Sequence, residues 1–273
     1  MNPEPQCKHV KNHSSNRWRR LVLCLLFICS IFQATVIAQQ RNSPQAILRQ
    51  AELKRKPWPT MTLSANLRDS GTAGVTETDY QIFLEETKAL VASSGPRTES
   101  GKLLLLESND MWVYFPGTSN PIKITPLQRL SGSVSLVDIT KLNWSTDYHI
   151  DSFQTVSIGN LNETESYLLT MQAVSDQIPY QKINLWIGKK DFHPLKADVY
   201  LASGKLFKSL VFEGFAVVAG KEICTVIEYI DHFNKGRKSV IKFSRIKEFK
   251  NIPENYFLKD NLRALSGKLD LTK

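Results

Sequence analysis

The stretch KLLLLESNDMWVYF, residues 102–115, places two apolar runs on either side of the turn-forming pair Asn109-Asp110. Two runs of this kind separated by two turn residues are typical of a β-hairpin, in which the strands pair antiparallel. We therefore predict strands over Lys102–Ser108 and Met111–Phe115. A protein that contains this hairpin has at least one antiparallel sheet.

The same signals recur on both sides of this hairpin. Apolar residues at every second position from Met61 to Leu67 predict a strand with one buried face. Further strands are predicted at Tyr80–Leu84, Pro121–Thr125, Ser166–Val174, Lys182–Ile187, Leu195–Leu201, Lys205–Phe215, Glu222–Asp231 and Lys238–Ile246. These make about eleven strands with turn residues between them and no linker, which predicts one mainly β domain over residues 39–273. No helices alternate with the strands, so a doubly wound nucleotide-binding fold is excluded.

Two short helices are predicted outside this pattern. Ser43 and Pro44 are typical of an N-cap and a first helical residue, and the helix they begin ends before Pro57. The second lies in a Ser-rich insertion, where Ser135–Asp138 has capping-box spacing and Leu136, Ile139 and Leu142 share one face. This second helix is either a lid or a plug at an open barrel end.

Residues 1–38 have the pattern of a secretory signal peptide. A basic segment ending at Arg20 precedes the uncharged run Leu21–Phe32, and small residues before Gln39 suggest cleavage after Ala38. The alternative is an uncleaved anchor, because Leu21–Ala38 is close to the shortest length that spans a bilayer. We predict an exported, periplasmic protein.

Cleavage would change the composition of the chain. The full sequence has 273 residues, 42% of them hydrophobic, and a formal net charge of +9. Loss of residues 1–38 removes five basic residues and one acidic residue, which leaves +5, and it leaves Cys224 as the last cysteine. An exported domain without an internal disulfide depends on its core for stability. Dispersed basic residues and export together argue against nucleic acid as a partner.

No catalytic or metal-binding pattern is present in the sequence. His149, His193 and His232 lie far apart, without the spacing of metal ligands, and there is no nucleophile elbow or phosphate-binding loop. A triad of Ser133, His149 and Asp138 can be assembled, but no pattern supports it. We predict no metal, no cofactor and no enzyme activity. A lipid-modifying enzyme is kept only as the weakest hypothesis, behind the two non-enzymatic functions described below.

The chain has more apolar strand residues than one buried face requires. In KLLLLES the leucines fall on both faces, and both faces are also apolar in Met111–Phe115 and Phe207–Phe215. Either helices cover the second face, or the sheet curls around a cavity that holds an apolar ligand. The small number of predicted helices favours the cavity.

Three segments resemble, in the same order, blocks of one protein family. They are NDMWVYFPGTSNPIKITPLQRLSGSVSLVDI (109–139), LWIGKKDFHPLKADVYLASGKLFKSLVF (185–212) and IPENYFLKDNL (252–262). The family is the outer membrane lipoprotein-sorting proteins, the LolA/LolB-like periplasmic carriers, and the likeness covers about residues 43–265. Trp112, Tyr114 and Pro116 match its "W.Y.P" positions. The sequence departs from the family at Val134 and Leu136, one of which stands where the family usually has an aromatic residue.

The resemblance implies a fold, a function and partners. The fold is an antiparallel sheet of about eleven strands, strongly curved into an incomplete barrel, with a few lid helices. Its hydrophobic cavity would hold lipid or lipoprotein acyl chains, taken from an inner-membrane transporter and delivered to an outer-membrane acceptor by a monomer. The predicted lipid-binding residues are Met61, Leu63, Leu104, Leu106, Trp112 and Tyr114 in the groove and Leu136, Ile139 and Leu142 on the lid.

A second hypothesis belongs to another functional class. Proteins that resemble this family include envelope sensors and accessory subunits of membrane transporter complexes, which do not carry cargo. Both hypotheses stay open at the level of sequence.

Overall fold

A computed structural model describes residues 43–71, 74–94, 100–107, 110–124, 138, 142–158, 164–234, 237–266 and 268–269. The chain divides into two compact units, Met1–Ala46 and Ile47–Lys273. Of the first unit only Ser43–Ala46 are described, and there the Ala46 amide donates to Ser43 Oγ at 3.2 Å. This is the N-cap bond that Ser43 and Pro44 predict, since Pro44 is the first helical residue.

The described residues form thirteen strands in one antiparallel sheet. The strands are β1 (Thr60–Gly71), β2 (Gly74–Glu85), β3 (Lys88–Ser94), β4 (Leu103–Glu107), β5 (Asp110–Tyr114), β6 (Ile122–Lys123), β7 (Tyr148–Ile158), β8 (Thr164–Ala173), β9 (Lys182–Gly188), β10 (Pro194–Tyr200), β11 (Leu206–Val218), β12 (Lys221–Asp231) and β13 (Lys238–Glu248). Helices described over their whole length are α1 (Pro44–Leu53), α2 (Trp144–Asp147) and α3 (Leu262–Leu265), with 3₁₀ turns at Glu254–Phe257 and Lys259–Asn261.

The sheet runs in the order β6-β5-β4-β3-β2-β1-β13-β12-β11-β10-β9-β8-β7. The first six strands extend from the centre to one edge, and the last seven run from the other edge back to the centre, where β1 pairs with β13. Strands β6 and β7, which follow each other in the chain, are therefore the two opposite edges.

The sheet is strongly curved, as predicted. Laid flat at about 4.8 Å per strand, thirteen strands would be about 58 Å wide. Yet one hydrophobic cluster contains Met111 from β5 and Met171 from β8, near opposite edges, together with residues of most strands between them. This cluster lies on the inner face of the curved sheet, and we call it the inner cluster.

Two of the thirteen strands escape sequence-based prediction. In β3 the five residues between Lys88 and Ser94 are all buried, so no alternation of apolar and polar residues marks it. Strand β7 is an edge strand whose residues are mostly polar and partly exposed, so it lacks an apolar pattern. The eleven predicted strands are all present, and the mainly β fold is confirmed.

A second hydrophobic cluster lies on the opposite face of β3, β4 and β5, and we call it the outer cluster. Leu103 and Leu105 belong to it, whereas Leu104 and Leu106 face inward. The outer cluster is covered by residues near the C-terminus, namely Ile252, Phe257, Leu262 and Leu265. C-terminal segments thus cover the second face of KLLLLES, which is one of the two alternatives that the sequence left open for this run.

Among the described residues no helix is both long and apolar enough to cross a membrane.

Candidate functional site

The connection between the two edge strands joins opposite edges of the curved sheet. It leaves β6 at Lys123 and enters β7 at Tyr148, and its described residues include Asp138 and Leu142–Asp147. Leu142 and Trp144 are buried in the inner cluster, and the Trp144 ring meets Phe212 edge-on with centroids 5.8 Å apart. We call Asp138 and Leu142–Asp147 of this connection the crossing segment, and its Leu142 and Trp144 cover the inner face with apolar side chains.

Helix α1 completes the cover. Its residues Ile47, Leu48 and Ala51 are buried in the inner cluster, at the spacing of a single helical face. Helix α1 thus has a narrow apolar stripe that packs onto the sheet.

Polar contacts join α1 to the crossing segment. Arg55, just beyond α1, donates from Nη1 to the Leu142 carbonyl at 3.1 Å and from Nη2 to the Asp138 carbonyl at 2.8 Å. Its guanidinium carbon lies 4.5 Å from the centre of the Trp144 ring. Burial lowers the pKa of Arg55 from its usual value. Within α1, the buried Glu52 accepts hydrogen bonds from the Ser145 amide, at 3.3 Å, and from the Ser145 hydroxyl.

A further ion pair fixes the end of α1 to the sheet. Lys54 Nζ lies 2.7 Å from a Glu222 carboxylate oxygen on β12, and His193 Nε2 lies 2.9 Å from the same oxygen. The Lys54 ammonium, followed by His193, lowers the pKa of Glu222 to about 2. The carboxylate therefore stays charged, and holds Lys54, throughout the neutral and mildly acidic range.

An open groove of about 460 Å³ lies beside this junction, within the size range of small-molecule sites. Its lining includes Arg49, Trp58 and Ser145. Lys56 and Asn143 line both this groove and a small cavity of about 30 Å³ whose other walls include Met61, Leu63, Leu84 and Leu142. The groove and the cavity are thus neighbours, and the cavity reaches the inner cluster at Leu142.

The structure divides the predicted lipid-binding residues between two clusters. Met61, Leu63, Leu104, Leu106 and Leu142 all lie in the inner cluster. Trp112 and Tyr114 are instead in the outer cluster, because Met111 and Val113 alternate with them and face inward. This alternation along β5 places the Trp112 and Tyr114 side chains on the opposite face of the sheet from Leu104. Their assignment to the same groove as Leu104 is therefore corrected. Leu136 and Ile139 lie outside the described residues.

The inner face also holds a buried polar group that sequence reasoning missed. Asp138 and Lys208 are both fully buried, with 3.7 Å between Asp138 Oδ2 and Lys208 Nζ. Tyr180, also fully buried, donates from its hydroxyl to Asp138 Oδ1 at 2.6 Å. In the sequence, Lys208 is one of many dispersed basic strand residues. Its position between apolar residues on β11 was the one feature that could have indicated a buried lysine.

The triad assembled from the sequence is not supported by the described residues. His149 is largely exposed and its Nε2 lies 3.0 Å from Asp151, whereas Asp138 is buried beside Lys208. Ser133 lies outside the described residues.

Comparisons with known proteins agree with this fold. A LolA superfamily protein from Nitrosomonas europaea is 29% identical, with a TM-score of 0.71, over 79% of this chain and 97% of that one. A putative outer membrane lipoprotein-sorting protein domain from Vibrio parahaemolyticus is 18% identical, with a TM-score of 0.67, over 80% of this chain and 97% of that one. A DUF1329 family protein from Desulfovibrio piger gives the same identity and TM-score over 80% and 98%. No curated protein sequence matches the chain.

These likenesses and the curved sheet with its covered inner face define a LolA-like protein, as the sequence resemblance predicted. A family model described as "-like: Uncharacterized protein" matches residues 85–264, more than half of the chain. The chain belongs to the family that this model describes.

Proposed function

We propose that the protein is a periplasmic carrier that binds lipid, or the acyl chains of lipoproteins, on the inner face of its sheet. The observation that carries this proposal is the open groove next to a small cavity, which shares Lys56 and Asn143 with the groove and is lined by Leu142 and by Met61, Leu63 and Leu84 of the inner cluster. An acyl chain entering from the groove would replace Leu142 and Trp144 against the apolar strands. The likeness to the LolA superfamily protein supports the same role.

The energetics permit such an exchange. Burying ten methylenes contributes about 8 kcal/mol, at about 0.8 kcal/mol each. Exposing Leu142 and Trp144 costs about 1.5–3 kcal/mol for each side chain, so a favourable difference of a few kcal/mol is left for the acyl chain. Because the covering residues compete with the cargo, the same contacts that exclude lipid from the empty protein also help to release it.

The leader and the partners complete the proposal. Residues 1–38 would direct export and be removed, leaving a LolA-like domain over residues 39–273 that acts without catalysis. Cargo would come from an inner-membrane transporter and pass to an outer-membrane acceptor.

One observation favours a second candidate, a non-carrying sensor or accessory subunit of an envelope complex. The inner cluster is already filled by α1, Leu142 and Trp144, so the fold does not need cargo to bury its inner face. A protein of this kind would use the same fold as an interaction module.

Lipid bound during production tests the proposal. We expect the full sequence, expressed with export in a Gram-negative host and purified without detergent, to yield close to one lipid per chain by solvent extraction and mass spectrometry. A folded protein with no bound lipid that also fails to bind added fatty acid would contradict the carrier function.

A further inference from the structure

Strands β11 and β12 form a hairpin that extends beyond the strands on either side of it. Towards the turn, β10 pairs with β11 no further than Val211, and β13 pairs with β12 no further than Val226. The pairing of β11 with β12 continues to Val218, which lies opposite Lys221. In the described sheet, residues 212–225 therefore pair as strands only with each other, and we call this segment the hairpin arm.

The end of the hairpin arm is apolar and exposed to solvent. Residues 214–220 read GFAVVAG, without a charged or hydrogen-bonding side chain. Val217 is 73% exposed, more than any other large apolar side chain that the structure describes. Ala216, Ala219 and Gly220 are exposed as well. Turns between strands ordinarily carry polar residues, so an exposed apolar turn indicates a contact with another apolar phase.

The two turn residues have a backbone conformation that usually selects other residue types. The φ angles of Ala219 and Gly220 are 49° and 75°, both positive as in a type I′ turn. Asn, Asp or Gly is preferred at the first of these positions, because a Cβ crowds the backbone there. Ala219 accepts this strain where Asn would relieve it, and it keeps the tip free of a polar side chain.

Contacts of β12 hold the hairpin arm beside the open groove. Lys221 Nζ donates to the Pro57 carbonyl at 2.7 Å and lies 4.8 Å from the centre of the Trp58 ring. Pro57 and Trp58 both line the groove. Further along β12, the Cys224 amide donates to the Lys54 carbonyl at 2.7 Å. The apolar tip and the groove therefore lie side by side.

The acidic residues of the hairpin arm are distant from its tip or are neutralised. Glu213 lies four residues before Val217, a separation of about 14 Å along a strand. Glu222 pairs with Val217 across the hairpin, but its carboxylate lies 2.7 Å from Lys54 Nζ. The Lys221 ammonium is the charge nearest to the turn in sequence. An apolar tip followed by a lysine suits the boundary between acyl chains and head groups, where the ammonium stays with the phosphates.

The dimensions of the tip suit a bilayer better than a protein partner. A stable protein interface buries about 800 Å² on each partner, and a two-residue turn with one exposed valine beside it is far smaller than that. The apolar stretch from Phe215 to Val218 is about 10 Å long. Segments that lie at a membrane surface bury their apolar side chains to a depth of about 5–10 Å, which matches this length.

We propose that the end of the hairpin arm, residues 215–221, inserts into the surface of a phospholipid bilayer and places the open groove against it. Lys221 would remain at the level of the lipid phosphates. This inference goes beyond the proposed carrier function, because contact with a membrane needs no bound cargo and a non-carrying envelope protein would use it as well.

Sedimentation with vesicles tests this contact on the full sequence, expressed with export and purified without detergent. The vesicles contain phosphatidylethanolamine, with phosphatidylglycerol as the minor lipid. We expect the wild type to bind, and Val217→Asp to bind at least about tenfold more weakly, because aspartate is far less favourable than valine among acyl chains. Val174→Asp is the matched control. Val174 is 59% exposed but lies between β8 and β9, at the opposite end of the strands, so this variant should bind like the wild type.

Ala219→Asn separates membrane contact from folding. Asn is favoured at this position of the turn, so the variant should unfold at a midpoint temperature no lower than that of the wild type. Its amide makes the tip polar, and vesicle binding should become about threefold weaker or more.

The outcomes separate this inference from the carrier function. A folded wild type that does not bind the vesicles overturns the inference, and this is the result expected if the tip contacts a protein partner. Equal binding by the wild type and Val217→Asp also overturns it, because attachment through cargo alone does not depend on the tip. Neither result decides the carrier function, which is tested by bound lipid and by added fatty acid without vesicles.

Discussion

Truncation of the chain after Asn251 is expected to leave no folded, soluble protein. The removed segment contains Ile252, Phe257, Leu262 and Leu265, all buried against β3, β4 and β5 in the outer cluster. At about 1.5–3 kcal/mol for each buried side chain, their loss costs about 6–12 kcal/mol. This is as large as the whole stability of an ordinary domain, about 5–15 kcal/mol. Soluble yield and far-UV circular dichroism measure the effect.

Neighbouring point variants give the matched control for this truncation. Phe257 is 1% exposed and Leu258 is 51% exposed, although they are adjacent in sequence. We expect Phe257→Ala to lower the free energy of unfolding by about 3–5 kcal/mol, and Leu258→Ala to change it by less than about 0.5 kcal/mol. Equal effects of the two substitutions, or a stable truncated protein, would contradict the assignment of the C-terminal segment as the cover of the outer face.

Leu142→Ala is expected to strengthen lipid binding although it weakens the fold. Leu142 packs into the inner cluster, so the substitution destabilises the covered state by about 2–5 kcal/mol. If Leu142 has already left the inner cluster in the lipid-bound state, the substitution destabilises mainly the empty protein. Since 1.4 kcal/mol corresponds to a factor of ten, the apparent Kd for oleate should fall at least about tenfold. Fluorescent probe displacement measures it.

Leu105→Ala is the control for Leu142→Ala. Leu105 is fully buried in the outer cluster, so the substitution should cost a similar amount of stability and leave the Kd for oleate unchanged. A weaker affinity in Leu142→Ala, or the same change in both variants, would show that Leu142 does not compete with lipid.

Features of the fold that depend on residues close together in the sequence could be predicted, whereas features that depend on tertiary packing could not. The β4–β5 hairpin is a local feature, because two apolar runs with turn residues between them specify it within fourteen residues. Asp110 was predicted in the turn, but it begins β5 and pairs with Glu107. Most other strands have their own alternation, so the mainly β class is equally local. Strand β3 is missed because its neighbours bury both of its faces, a consequence of tertiary packing and not of its own pattern.

The residues of the candidate site are brought together by long-range packing, and they were predicted less well than the strands. Leu104 and Leu106 were assigned to the inner groove and lie in the inner cluster, but Trp112 was assigned by resemblance and lies in the outer one. The pair Asp138–Lys208 joins residues 70 positions apart, and no local pattern brings them together. The leucines of KLLLLES suggested a cavity, because nothing in that run shows that a segment 150 residues later covers one of its faces.

Transfer of lipid between membranes tests the central claim most directly. Donor vesicles with a fluorescent phospholipid and a fluorescent fatty acid are mixed with unlabelled acceptor vesicles and increasing amounts of the full chain. A carrier predicts transfer of at least one label at a rate that rises in proportion to protein concentration, and a faster rate for Leu142→Ala than for Leu105→Ala. Transfer of neither label above the spontaneous rate, with a folded protein, would contradict a carrier and favour the non-carrying envelope module.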